Sequence, residues 1–115
     1  MQKMVHEMKL RHIYFEKIRT GEKIYEIRLN DEKRRLISVG DFITFRDESN
    51  LDEKMQKRVK DLLYFGSFAE VLDNLPLKEI GFENFSKLEV ENVYHQFYSI
   101  ENEKKFGVVA IMLCD

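Results

Sequence analysis

The segment Gly21-Glu22-Lys23-Ile24-Tyr25-Glu26-Ile27-Arg28 brings an amine, a carboxylate and a guanidinium together within six residues. On an extended backbone, alternate residues share a face. Glu26 and Arg28 then lie on one side with Ile24, and Tyr25, Ile27 and Leu29 on the other. Cβ atoms two residues apart stand roughly 6.5–7 Å from each other on a strand, close enough for both side chains to enter one cleft. Strict alternation turns Lys23 the other way, but Lys23 follows the Gly21 turn, where alternation need not hold. An arginine forks onto a phosphate or a base edge. A glutamate accepts from an exocyclic amine. A lysine desolvated by its neighbours acts as a base or activates a nucleophile. Lys23, Glu26 and Arg28 are therefore the primary ligand-binding candidates, and Lys23 and Glu26 are also the candidates for catalysis. The plainer alternative is a solvated strand face, on which a Glu–Arg pair contributes little.

Other residues offer weaker chemistry. Arg11, His12 and Lys17 belong to a helix just before this segment and are placed to contact phosphate. Tyr64, with Phe65 and Phe68, offers aromatic faces for stacking on a base, although bulky aromatics more often pack in cores. Arg11, Lys17 and Tyr64 complete the set of ligand-binding candidates. Lys33-Arg34-Arg35 is a candidate basic rim, whereas Lys54, Lys57, Arg58 and Lys60 read first as protection of a strand edge. The single cysteine, Cys114, excludes a disulfide framework and a multi-cysteine metal site; in its apolar run it reads as a small core residue. His6, His12 and His95 lack ligand spacing. Neither a metal nor a cofactor is expected.

These residues need elements to hold them. Val5 to Leu10 reads as a strand and Arg11 to Thr20 as a helix with Tyr14, Phe15 and Ile18 at helical spacing. Gly21 stops that helix, and Lys23 to Leu29 is the alternating strand. Asn30-Asp31-Glu32 caps a short basic turn, and Val39-Gly40-Asp41 turns the chain into a strand over Phe42 to Arg46, with Ile43 and Phe45 on one face. Asp47 to Glu53 is polar and loop-like. Lys54 to Phe65 is a longer strand with Met55, Val59, Leu63 and Phe65 on one parity. Ser67-Phe68-Ala69-Glu70 is a capping-box pattern opening a short helix that ends near Pro76. A second box, Ser86-Lys87-Leu88-Glu89, is flanked by Phe85 and Val90 as a candidate hydrophobic staple. The stripe of Val90, Val93, Tyr94, Phe97 and Tyr98 in its helix reads as core. Gly107 to Cys114 is apolar throughout most of its length and reads as a strand buried on both faces. About five strands and a few helices, without regular strand–helix alternation, predict an α+β fold with a mixed, barrel-like sheet.

The chain has 115 residues, of which 43% are hydrophobic and 35% charged; nine Phe and five Tyr supply the bulk of one core. A single domain spanning residues 1–115 is expected. No apolar run reaches the roughly 18 residues that span a bilayer, and the segment from Met1 to Glu7 has no apolar signal core, so a cytoplasmic location without membrane association is expected. Residues 1–46 carry 11 Lys/Arg against 7 Asp/Glu, and the remainder 8 against 14. That asymmetry suits a small local footprint on a nucleic acid better than a uniformly basic coating surface.

Taken in order, Ile18 to Arg28, Ser38 to Phe45, Tyr64-Phe65-Gly66-Ser67-Phe68 and Gly107 to Ile111 resemble the ASCH (ASC-1 homology) family. The resemblance covers most of the chain. It implies a small PUA-like mixed β-barrel of about five or six strands with flanking helices and a cleft beside the first helix. It also implies binding of RNA or of a nucleoside or nucleotide. Some small members are amidohydrolases of N4-acetylcytidine, using a lysine in this motif, a threonine three residues later and a glutamate further on. The lysine matches Lys23, but the threonine position holds Glu26, so the hydroxyl nucleophile is absent. The third residue would fall within Lys78 to Glu89, with Glu79 and Glu83 as candidates. The expected function is therefore an RNA- or nucleotide-binding module, and the alternative is an amidohydrolase acting on an N-acylated cytidine-type nucleoside.

Overall fold

The computed structural model describes residues 3–115. Five strands form one sheet: β1 (Val5–Leu10), β2 (Tyr25–Leu29), β3 (Phe42–Asp47), β4 (Asn50–Phe65) and β5 (Val108–Cys114). Four helices accompany it: α1 (His12–Thr20), α2 (Phe68–Asn74), α3 (Lys87–Phe97) and α4 (Ile100–Phe106). The strand order is β1-β3-β4-β5-β2. β1 runs parallel to β3, and every other neighbouring pair is antiparallel. The expected α+β fold and mixed sheet are found. The barrel is a half-barrel, open along a seam between the edge strands β1 and β2. The sheet curls until Arg28 Nη2 on β2 donates to the carbonyl of Lys9 on β1 at 3.2 Å.

Both faces of the sheet are covered, by two separate apolar clusters. One takes Phe15 and Ile18 of α1 together with Met8, Ile43, Phe45 and Val59. The other packs Phe68 and Leu72 of α2 and Val90 and Tyr94 of α3 against Tyr25, Ile27 and Leu29 of β2. β5 serves both: Val108 and Ala110 enter the second cluster, and Val109, Ile111 and Leu113 the first. Its unbroken apolar sequence follows from that position. Phe68 is the hub of the second cluster, fully buried and stacked on Tyr94 with ring centroids 4.5 Å apart.

Several expectations shift. The polar stretch from Asp47 to Glu53 is mostly strand, because Asp47 pairs with Asn50 across a tight turn. Asp47 Oδ1 accepts from both the backbone N–H (2.8 Å) and the hydroxyl (2.7 Å) of Ser49, which closes that turn. The single parity from Met55 to Phe65 breaks at a bulge between Val59 and Asp61. One extra residue moves the later side chains to the other face, so Val59 and Met55 join the α1 side, while Leu63 and Phe65 join the α2–α3 side. Phe97, expected in the core, is 56% exposed. Helix α4 was not anticipated; Ser99 caps it by accepting from Asn102 N–H, and its Glu103 is buried. Cys114 is only partly buried, at the end of β5. Among the described residues no helix is long and apolar enough to cross a membrane.

Candidate functional site

Gly21 sets the direction of the site. It adopts φ 86°, a left-handed conformation that glycine takes without strain, and its N–H donates to the Ile18 carbonyl at 3.1 Å. The chain then leaves α1 with Lys23 N–H bonded to the Lys17 carbonyl (3.0 Å) and Ile24 N–H to the Glu79 carbonyl (2.9 Å). β2 proper starts only at Tyr25, so Lys23 escapes the strand's alternation and turns inward. Its ammonium contacts the Tyr25 carbonyl at 2.7 Å, the Ile80 carbonyl at 3.1 Å and Glu26 Oε1 at 3.0 Å. An ammonium has three N–H donors, and all three are used. Space for the lysine stem comes from Gly81, at φ +100°, where an added Cβ would lie 2.9 Å from Lys23 Cδ.

Glu26 and Arg28 share a face of β2, as alternation predicts. Glu26 Oε2 accepts from Arg28 Nε at 2.7 Å, so the buried carboxylate lies between two cations. Burial pushes the Glu26 carboxyl up, but Lys23 and Arg28 outweigh it and hold the group below its ordinary value. Burial pulls the Lys23 ammonium down, and Glu26 restores only part of that. Burial also works against the Arg28 charge, yet Glu26 holds it above its ordinary range. The trio is an ion network whose members depend on one another. Among the described residues nothing accepts from the Nη1 end of Arg28.

This trio floors a cleft of about 370 Å³ at the β1–β2 seam. Tyr14 of α1 and Phe82 form part of its wall, facing Tyr94 and Phe97 of α3 and Tyr98 at that helix's end. The Arg11 guanidinium lies 4.9 Å from the Phe97 ring centroid, a cation–π contact. The size falls at the small end of the roughly 300–1,000 Å³ typical of small-molecule sites, and the combination of apolar wall and few polar groups is the usual one.

Lys23, Glu26, Arg28 and Arg11 thus meet at one cleft. Lys17 and Tyr64 lie outside it. Lys17 donates to the Gly81 carbonyl at 3.0 Å and faces Glu22 at 3.7 Å, while Tyr64 is exposed on β4 opposite Val109. Neither Glu79 nor Glu83 lines the cleft. His12 contacts Asp47 Oδ2 at 2.6 Å. Arg34 is half-buried within a short 3-10 turn (Arg34–Leu36). Sequence reasoning missed Gly81 and the aromatic wall. The stripe on α3 contained Phe97 and Tyr98, but periodicity does not separate a core stripe from one that continues past the core into a cleft.

Comparison with known proteins agrees with this architecture. The model of the ASCH domain matches residues 8–115. A crystal structure of the hypothetical protein PH0355 superposes with a TM-score of 0.85 at 41% identity, covering 96% of this chain and 97% of that one. The solution structure of protein PF0455 from Pyrococcus furiosus gives 0.78 at 39% identity, with 96% of each chain covered. An ASCH crystal structure from Zymomonas mobilis gives 0.69 at 14% identity, covering 99% of this chain and 69% of that one, a likeness of fold. No protein of curated function matches the chain.

Proposed function

The chain belongs to the ASCH domain family, and on that premise we propose that its cleft binds one nucleotide unit of RNA, or a free nucleoside or nucleotide. The observation that carries this reading is the ionised, buried Glu26 held between Lys23 and Arg28 beneath an aromatic wall. A base stacks on Phe97 or Tyr98. Its amino edge donates to Glu26, and a carbonyl edge or an anionic group meets Arg28. Arg11, above Phe97, flanks the entry. The cleft admits one base rather than a tracked strand, in keeping with the acidic second half of the chain. In this reading residues 1–115 work as one domain, in the cytoplasm, without a metal or cofactor.

The amidohydrolase reading is the weaker one. Lys23 has no free donor or lone pair while its three protons are shared among Tyr25, Ile80 and Glu26. Glu26 stands where a hydroxyl nucleophile is needed, and its charge is held between Lys23 and Arg28.

Calorimetric or fluorescence titration of the four ribonucleosides and of short single-stranded RNAs tests the proposal. Stacking on an aromatic side chain is worth about 1–3 kcal/mol per base, so Phe97→Ala is expected to weaken binding by roughly tenfold or more. Equal affinities for wild type, Phe97→Ala and Arg11→Ala would place binding elsewhere. Incubation with N4-acetylcytidine is expected to release no cytidine; turnover by the wild type would reinstate the hydrolase.

A further inference from the structure

We propose that the main chain of Ile27, on the open edge of β2, reads the ligand in the cleft: its N–H and C=O take a base edge that carries a donor beside an acceptor. The inference rests on the nucleotide reading above and sharpens it by naming the part of the base that is recognised.

The β2–β5 ladder fixes which way each backbone group points. Leu113 N–H donates to the Ile24 carbonyl at 2.8 Å, and Asn30 N–H to the Gly107 carbonyl at 3.0 Å. Both bonds lie on the register that pairs Glu26 with Ile111 and Arg28 with Val109. In an antiparallel pair the hydrogen-bonded positions recur at every second residue. Ile24, Glu26, Arg28 and Asn30 therefore turn their backbone groups towards β5, and Tyr25, Ile27 and Leu29 turn theirs away. Among the described residues no strand covers that outer edge. The Tyr25 carbonyl there accepts from the Lys23 ammonium, but Ile27 N–H and C=O have no protein partner among the described residues. Ile27 is nonetheless only 4% exposed, and the main-chain groups of so buried a residue nearly always have partners.

The cleft reaches these groups. It is lined by Glu26 and Arg28 from one face of β2, and by Phe82 and Tyr94, which belong with Ile27 to the apolar cluster on the other. A cleft that touches both faces passes round one edge of the strand, and β5 occupies the other. Ile27 lines the cleft, whereas Tyr25 and Leu29 do not. Arg28 Nη2 crosses the seam to the Lys9 carbonyl at 3.2 Å, so the opening suits a flat ring rather than a further strand. The N–H and C=O of one extended residue point the same way. They match the amide edge of uracil or guanine and the amidine edge of cytosine or adenine, where a donor adjoins an acceptor. An exocyclic amine has two hydrogens, one for the Ile27 carbonyl and one for Glu26.

The reading atoms belong to the main chain, so the test needs no substitution. Amide hydrogen exchange is followed by NMR on the isotope-labelled chain, free and with saturating ribonucleoside. In the free protein Ile27 N–H is expected to exchange roughly tenfold or more faster than Glu26 and Arg28 N–H, which the ladder holds. Ligand is expected to slow Ile27 by about tenfold or more and to leave Leu29, open but beyond the cleft, unchanged. By calorimetry, a nucleoside methylated on the recognised edge (3-methyluridine, 1-methylguanosine, or adenosine or cytidine dimethylated on the exocyclic amine) is expected to bind about tenfold more weakly than its parent, because a buried group is left unpaired. An Ile27 amide already as protected as its ladder neighbours overturns the open edge. Binding that leaves Ile27 exchange unchanged, or that tolerates the methyl groups, overturns the assignment and leaves the nucleotide reading standing. Absence of binding by every ribonucleoside and by short single-stranded RNA removes the nucleotide reading, and the Ile27 assignment with it.

Discussion

At the scale of single residues, the site is an ion network before it is a ligand site. Removing Glu26 leaves Lys23 and Arg28 buried without their shared anion. Breaking a buried pair in this way costs about 3–5 kcal/mol, so Glu26→Ala is expected to lower the urea midpoint sharply; a midpoint within error of wild type would show the network to be unimportant for folding. A loss of binding in that variant consequently says little about contacts with a ligand, and Phe97 and Arg11 are the better probes. The sign of the pH effect follows from Glu26 lying below its ordinary value of 4.5 when folded. Its contribution is fully present above the unfolded value and is lost as pH falls through the folded one. Urea titrations from pH 6 downwards are expected to show a shallower acid limb in Glu26→Gln than in wild type. Gly81 carries a second expectation. An alanine there meets both a left-handed backbone, costing about 1–2 kcal/mol, and the Lys23 stem; thermal denaturation of Gly81→Ala checks the sum, which should exceed the backbone share alone.

At the scale of elements, local signals were read well where they are local. Gly21 as a helix stop and Ser86–Glu89 as a capping box both appear as expected; in the box Ser86 accepts from Glu89 N–H and Glu89 accepts from Ser86 N–H. Ser86→Ala is expected to cost about 1 kcal/mol by thermal melting, without altering ligand affinity. Features that depend on a partner strand were not legible. The β4 bulge exists only in register against β5, and no residue type near Lys60 announces it. The three histidines, scattered in sequence, each meet a buried carboxylate: His6 with Asp41 (2.8 Å), His12 with Asp47 (2.6 Å) and His95 with Glu103 (2.8 Å). These pairs join β1 to the turn before β3, α1 to the β3–β4 turn, and α3 to α4. Asp47 raises the His12 imidazole above its ordinary value of 6.5. A raised group stabilises fully below its unfolded value, and that share fades as pH rises through the folded one. Melting temperatures of wild type should therefore decline from pH 6.5 upwards more steeply than those of His12→Gln; parallel curves would disprove a stabilising charge there.

At the scale of the whole molecule, the strand inventory and the shared face of Glu26 and Arg28 were legible because alternation and apolar content are carried by the residues themselves. Strand order was not, since β2 and β5 look equally able to pair with any neighbour. The cleft was legible as a floor but not as a volume: its wall comes from α3, distant in sequence, and its seam from the curl of the sheet. That arrangement has a kinetic side. Among the described residues β2 pairs only with β5, so Tyr25 finds its ladder partner in Met112 and Leu29 in Val108. The charged segment is therefore completed early in synthesis and cannot bury its ions until the chain has been extended through residue 114. Pairings so far apart in sequence slow folding, typically into the millisecond-to-second range. Until β5 is present, β2 has no ladder to join, and the cleft beside it has no fixed floor.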